Sequence, residues 1–307
     1  MNFVAKSLPA AGVLLLVSVA NAQAADMPVK APPIVQSSPI LGWISPILLA
    51  NNQISLDAIG QNIDYLETVK GPFDTERGWQ PGLQLTGSAM GNLGPITNVY
   101  VMGQFTWAKD HTHYVGGAGG SPYGSVVGAS GAETKDFDFR LGKGFDVGQN
   151  WMFTPYFGAG YHVWDRNVTE GMPGGYFEKY EHGYTGGGLL IQWAPTNQWV
   201  ISANGLVGST FSPQMTTSMN GAFAAPNTFN LGSKLIWKAG LSTDYALTPQ
   251  WHLNAGFDYT CFNYGASDWV PIPNRAGHAA NEPDSRSGIW TVKTGIGYSF
   301  YQPSARY

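Results

Sequence analysis

The chain has 307 residues, 43% hydrophobic and 13% aromatic but only 12% charged, against roughly 25% charged in an average soluble domain. Its 40 Gly and 20 Pro would suit a linker, yet 11 Trp, 15 Tyr and 15 Phe are too many for a disordered chain. A mean hydropathy of -0.12 and the lack of a mature apolar stretch of about 18 residues exclude a helical membrane bundle, and 16 basic against 20 acidic residues with no basic block exclude nucleic acid as a partner.

Residues 1–24 have the pattern of a secretory signal peptide: a start carrying Lys6, an apolar run centred on Leu14, Leu15 and Leu16, and small-residue cleavage sites at Ala20-Asn21-Ala22 or Ala22-Gln23-Ala24. The apolar run is shorter than the roughly 20 residues that span a bilayer. Cys261 is the only cysteine, so no intramolecular disulfide holds this exported chain together. Residues 25–52 follow as a periplasmic arm and lead-in, with Pro28, Pro32, Pro33 and Pro39 too close together for helix or central strand. Within it, residues 40–49 with Trp43 and Pro46 leave open a short helix, an interfacial segment or a lead-in strand.

From residue 53 to 301, alternation with period two predicts a barrel. Trp251, Leu253, Ala255, Phe257 and Tyr259 alternate with His252, Asn254, Gly256, Asp258 and Thr260, and the same pattern recurs in 237–245 and 290–300. Such strands run about 10 residues or more, where soluble strands average about 5 or 6. The template places strands near 53–67, 79–91, 97–111, 134–147, 151–166, 177–194, 198–211, 232–247, 250–263 and 287–300. Short turns fall at 91–94, 147–150, 195–197 and 248–249. Long Gly-, Pro-, Ser- or Asn-rich connections lie between the other strand ends, among them 112–133, 168–176, 213–231 and 265–286. Short turns at one rim and long loops at the other predict an all-β, antiparallel up-and-down transmembrane β-barrel of about ten strands, with eight or twelve as alternatives, in the bacterial outer membrane. Trp151, Trp193, Trp199 and Trp251 lie near the short turns, and Trp107, Trp164, Trp237 and Trp290 lie about a bilayer height away, as two aromatic girdles.

Some segments resemble a known group. Residues 25–33 (Ala-Asp-Met-Pro-Val-Lys-Ala-Pro-Pro) resemble the leader of alphaproteobacterial outer-membrane proteins. Residues 76–83 (Glu-Arg-Gly-Trp-Gln-Pro-Gly-Leu), 155–161 (Pro-Tyr-Phe-Gly-Ala-Gly-Tyr) and 282–285 (Glu-Pro-Asp-Ser) resemble porin-like barrels of unassigned function. Residues 294–300 are similar to the aromatic-ended last strand that the barrel assembly machinery reads, which implies Phe300 as the assembly signal. In that group the last strand usually closes the chain, whereas here residues 301–307 follow.

Chemistry-bearing patterns are sparse. Asp136 and Asp138 share a strand face beside Asp110 and His113 on the neighbouring strand, a faint echo of the paired carboxylates and Asp-His pair of omptin-like proteases. The omptin spacing is absent, so the expectation is no enzyme. No metal-ligand spacing and no cofactor motif occurs. Arg140, Lys238 and Lys293 share lumen parity with Asp138, Asp244 and Asp258 and are expected to form a polar network in which Arg140 neutralises Asp138. The functional expectation is a structural or surface-interaction barrel acting through its extracellular loops. A narrow solute channel and a surface hydrolase are the alternatives. The expected partners are outer-membrane lipid and lipopolysaccharide, the barrel assembly machinery and an extracellular ligand.

Overall fold

Period-two alternation sustained over long strands makes a wall with two unlike faces, and such a wall has no free edge only when it closes on itself. The computed structural model describes residues 45–68, 72–117, 121–148, 150–172, 175–218, 227–272 and 276–301. The expected signal segment, the Pro-rich arm up to residue 44 and the tail from residue 302 lie outside the described residues.

Ten long strands form the wall: β1 Gln53–Thr68, β2 Pro72–Leu93, β3 Ile96–Gly116, β4 Val126–Lys143, β5 Trp151–Val168, β6 Tyr176–Trp193, β7 Trp199–Ser218, β8 Leu235–Ala246, β9 Trp251–Tyr264 and β10 Asp284–Ser299. Each pairs antiparallel with the next, and β10 returns to pair with β1 from Gln53 opposite Ser299 to Thr68 opposite Asp284. The architecture is therefore a closed ten-stranded antiparallel barrel.

The strands outrun the sequence estimate at the end remote from the short turns. β3 reaches Gly116 and β4 starts at Val126, so much of the expected 112–133 loop is a two-stranded rise with its turn at 117–125. β2 begins at Pro72, leaving residues 69–71 as the first connection where a long one was expected. Hydrophobic alternation fades beyond the apolar band while the backbone ladder continues, and only the former is visible in composition. Asn227–Asn230 also extends the wall, pairing with the upper part of β7. At the opposite rim Gly94, at φ 57, turns β2 into β3 in two residues, a backbone region that glycine adopts without steric cost.

Polarity across the wall is reversed relative to a soluble protein. Leu241, Ile296 and Phe137 point outward, 60%, 54% and 52% exposed, whereas Gln61, Gln80 and Thr134 point inward and are buried. Aromatic rings bound this apolar band. At the short-turn rim Trp151 stacks on Trp193 at 5.6 Å, Trp199 meets Tyr245 and Trp251 meets Tyr298. At the far rim Trp237, Tyr259 and Trp290 form a row, with Tyr259 and Trp290 centroids 4.0 Å apart. Trp79, which the sequence reading did not include, stands on the same outer face opposite Asn62. Trp164 departs from expectation. It lies at the expected height, but even-numbered residues of β5 face the lumen, so its indole is 2% exposed inside the barrel. Height alone had suggested a girdle residue; parity decides otherwise.

A short helix, α1 (Pro46–Ala50), precedes β1. Pro46 sits at its first turn, where a missing N–H costs nothing, and Ile47, Leu49 and Ala50 are buried. Of the three readings left open for residues 40–49, a helix is thus found for the described part, and it folds into the barrel mouth.

The outer band has a measurable consequence. Leu241 lies midway between Trp237 and Tyr245 on β8, and Leu241→Arg in refolded, bilayer-inserted protein is expected to cost about 2–4 kcal/mol in urea unfolding. Asn167→Arg, outward on β5 but beyond the band, should stay within about 0.5 kcal/mol.

Candidate functional site

The lumen gathers most of the buried polar side chains of the wall, and it is organised in three layers. Lowest, α1 packs with Met90, Tyr100, Met102, Met152, Tyr156 and Leu190 into an apolar floor. Hydrogen bonds hold it: Asn51 and Gln192 exchange two at 2.7 and 2.9 Å, Asn52 donates to Met90 O and accepts from Met90 N at 2.9 and 3.0 Å, and Ser299 Oγ donates to Leu49 O at 3.0 Å.

Above this floor lies a polar chamber of about 190 Å³, room for about six waters at roughly 30 Å³ each. All six expected network residues face inward. Lys238 donates to Asp138 and, at 2.9 Å, to Tyr184 Oη, and Tyr184 donates to Asp138. Lys293 pairs with Asp258 at 2.6 Å and donates to Gln84 Oε1 at 3.1 Å. Two pairings differ from expectation. Asp138 takes Lys238 as its salt-bridge partner, while the Arg140 guanidinium lies over the Tyr156 ring at 5.1 Å. Asp244 is held by His252 Nδ1 at 2.6 Å and Gln53 Nε2 at 3.1 Å. Parity identified who faces inward; Asp138 finds Lys238 on a strand that does not neighbour its own, which pairing order alone does not reveal, whereas Asp244 takes His252 from the adjacent strand.

The weak catalytic candidates do not converge. Asp136 faces inward against His162 Nδ1 at 2.7 Å, and Asp138 belongs to the lysine pair. Asp110 is exposed and accepts from the His111 backbone N–H, and His113 is exposed on the outer face opposite Ala129, seven residues along β4 from Asp136. No group of three or more His, Cys, Asp or Glu placed to hold a metal occurs among the described residues.

The third layer is the one sequence reasoning missed. His162, His182 and Phe262 rings pack at 4.6 to 5.1 Å, with His182 Nδ1 2.6 Å from Tyr264 Oη. Trp164, Tyr65, Tyr180 and Tyr264 stack above them. Over this plate sits Arg166, 1% exposed, 2.8 Å from Glu76 and 2.9 Å from Glu178, with Glu67 at 3.8 Å. Its guanidinium lies 4.9 Å from the Tyr65 and Trp164 ring centres, a desolvated cation–π arrangement. Tyr65 donates to Glu67 at 2.6 Å and Tyr180 donates to Glu282. Glu282 comes from the last connection, which folds over the lumen and is tied to Ser267 by bonds at 2.8 and 2.9 Å. The available signal was parity again: Glu67, Glu76, Arg166 and Glu178 all share the lumen face of their strands.

This lid lies beyond the apolar band, where the outward neighbours are charged: Glu133 and Asp165 flank Lys135 at 3.0 and 3.1 Å, and Arg77 pairs with Asp64. Burial pushes Glu67 up to about 8 and raises Asp74, Glu178 and Glu282 as well. Burial works against the Arg166 charge, but Glu76 and Glu178 outweigh it and hold the guanidinium protonated.

No family model matches the chain, and no curated protein matches it in sequence. Among solved structures, outer membrane protease OmpT from Escherichia coli superposes with a TM-score of 0.52 at 9% identity, covering 81% of this chain and 95% of that one. OprG from Pseudomonas aeruginosa gives 0.36 at 12% identity over 82% of this chain and 98% of that one. Ail, the attachment invasion locus protein of Yersinia pestis, gives 0.29 at 11% over 80% and 99%. The OmpT likeness, at that identity, is one of fold. The fold is that of an outer-membrane β-barrel.

The lid makes stability depend on pH with a definite sign. A carboxyl whose folded pKa is raised binds its proton more tightly in the folded state, so stability is greatest below the unfolded value near 4.5 and falls as pH rises towards about 8. The temperature at which the folded band disappears in heat-modified gel mobility should therefore drop between pH 5 and pH 8.5. Glu67→Gln should flatten part of that slope.

Proposed function

We propose that this chain is an exported, integral protein of a bacterial outer membrane, of the alphaproteobacterial porin-like type, whose closed barrel carries a structural or surface-interaction role. The observation that carries the reading is the double closure of the lumen. α1 and its apolar neighbours fill the short-turn mouth, and the Arg166 lid fills the other. A ten-stranded barrel lies near the filled end of the size range. What remains for interaction is the outer rim, where Trp269, Tyr123 and Met172 project, 70%, 46% and 43% exposed, from three different connections.

Removal of the leader and recognition by the assembly machinery belong to the same proposal. Phe300 lies on the outward face, 47% exposed, and its N–H bonds to Asn52 O at 3.0 Å, just past the last pair of the closing ladder. The dispersed carboxylate and histidine positions give no support to the hydrolase alternative. The chamber supports a second reading, a narrow channel that conducts when a closure is withdrawn.

Planar-bilayer recording separates the two readings. Refolded intact protein is expected to show no steady conductance. Ile47→Asp with Leu49→Asp, which places two charges in the apolar floor, should leave heat-modifiable folding in place and at most yield brief openings, because the Arg166 lid remains. Steady, resolved steps from the intact protein would overturn the closed-barrel reading in favour of the channel.

A further inference from the structure

The outer wall of β1 to β5 is not uniform. A hollow of about 630 Å³ is cut into the apolar band there. Gly87 and Gly103, directly paired across β2 and β3, form its floor, and a Cβ added at either would meet nothing within 4 Å. Leu85, Phe105, Phe137, Phe139 and Tyr161 line it, with the Phe105 and Phe137 rings 4.7 Å apart. The outward positions of these strands then change chemistry within a few residues. On β3 Phe105 is followed by Trp107 and Lys109, and on β4 Phe137 is preceded by Lys135 and Glu133, each pair of residues advancing about 7 Å along a strand.

Those polar groups are pre-positioned. Trp107 Nε1 donates to Glu133 at 3.1 Å, Glu133 in turn holds Lys109 at 3.1 Å and Lys135 at 3.0 Å, and Lys135 is held on its other side by Asp165 at 3.1 Å. Lys109 stays 60% exposed, and its ammonium carries three protons against the one acceptor found for it among the described residues. His111 and His113 follow on the same outward face, both exposed. An apolar trough that ends at the exposed Lys109 ammonium, with two protons to spare and an indole at the boundary, matches a ligand that is apolar along its length and negatively charged at its head.

We propose that this face is a binding site for one lipid with an anionic phosphorylated headgroup, an acyl chain lying over Gly87 and Gly103 and the phosphate oxygens accepting from Lys109. Glu133 and Trp107 act as positioning residues that fix its ammonium group at headgroup depth. The proposal rests on the outer-membrane reading and adds to it a specific site.

The test uses full-length protein inserted into nanodiscs of palmitoyl-oleoyl phosphatidylglycerol or phosphatidylcholine, with insertion checked by heat-modified gel mobility and retained lipid counted by native mass spectrometry. Wild type is expected to retain one phosphatidylglycerol per barrel, with phosphatidylcholine retained about two- to five-fold less, the range of one exposed ion pair. Lys109→Ala should remove the headgroup preference, and Gly103→Phe, which fills open space, should remove retention of both lipids while the folded band persists. Gly87→Leu gives the same reading should Gly103→Phe fail to fold. Equal retention of the two lipids by wild type, or retention unchanged by the glycine substitutions, overturns the proposal. A dimer peak lost on Gly103→Phe would assign the trough to a second copy instead. Failure of wild type to insert into either bilayer would overturn the outer-membrane reading itself, and is told apart from failure of the site by the gel check.

Discussion

The barrel depends on one seam. β10 lies against β1 along sixteen residues, Gln53 to Thr68 opposite Ser299 to Asp284, and through that pairing the backbone N–H and C=O groups at both ends of the sheet find partners. In hydrocarbon an unpaired backbone group costs several kcal/mol, so a spanning sheet is tolerable only when closed. Closure then dictates the rest: ten strands leave a lumen too narrow for bulk water along its length yet too wide to be left empty. Side chains must fill it, and because the outside is apolar the inside carries the polar residues.

Filling a lumen with polar groups is expensive unless each is matched, since a buried unpaired charge costs far more than a buried pair returns. The pairing found here is distributed, with Lys238 on Asp138, Lys293 on Asp258, His252 on Asp244, His162 on Asp136 and Arg166 among its carboxylates. Three of them, Lys293–Asp258, His252–Asp244 and His162–Asp136, join adjacent strands, while Lys238–Asp138 and Arg166–Glu76 join strands that are not neighbours in the wall. The network therefore reports on correct closure as well as contributing to it: a register slip of one residue would turn every member to the outer face.

Strand number, strand centres and lumen parity were legible in the sequence because one simple physical variable, the alternation of apolar and polar residues, encodes all three. Trp251 and Leu253 outward against His252 and Asn254 inward is a pattern no other packing explains as well. Three features were not legible. Strand ends beyond the apolar band, such as 112–116 and 126–133, mix small, apolar and polar residues on both faces and show no alternation in hydropathy. Trp164 was assigned by height where its even number set its face. The lid escaped because its acids, Glu67, Glu76, Glu178 and Glu282, lie far apart along the chain and meet only when four strands and a loop converge on Arg166. The six-residue lumen network was seen as a set, but its partners were not, because pairing across a lumen depends on tilt and stagger that single strands do not record.

The two closures are built on different physics, and that difference has consequences for how each would yield. The floor is a five-residue helix, far too short to be stable alone, so it exists only while Ile47 and Leu49 are buried and the Asn51–Gln192 and Asn52–Met90 bonds hold. It is a local, largely apolar contact, tied through Gln53 to Ala50 O and Asp244. The lid is the opposite case, one guanidinium and several carboxyls desolvated together over an aromatic plate, with burial raising the carboxyls and so favouring their neutral form. Proton loss adds like charges around Arg166, so the lid weakens as pH rises. The chamber thus lies between an apolar contact that holds by burial and an ionic cluster that holds by pairing around one guanidinium.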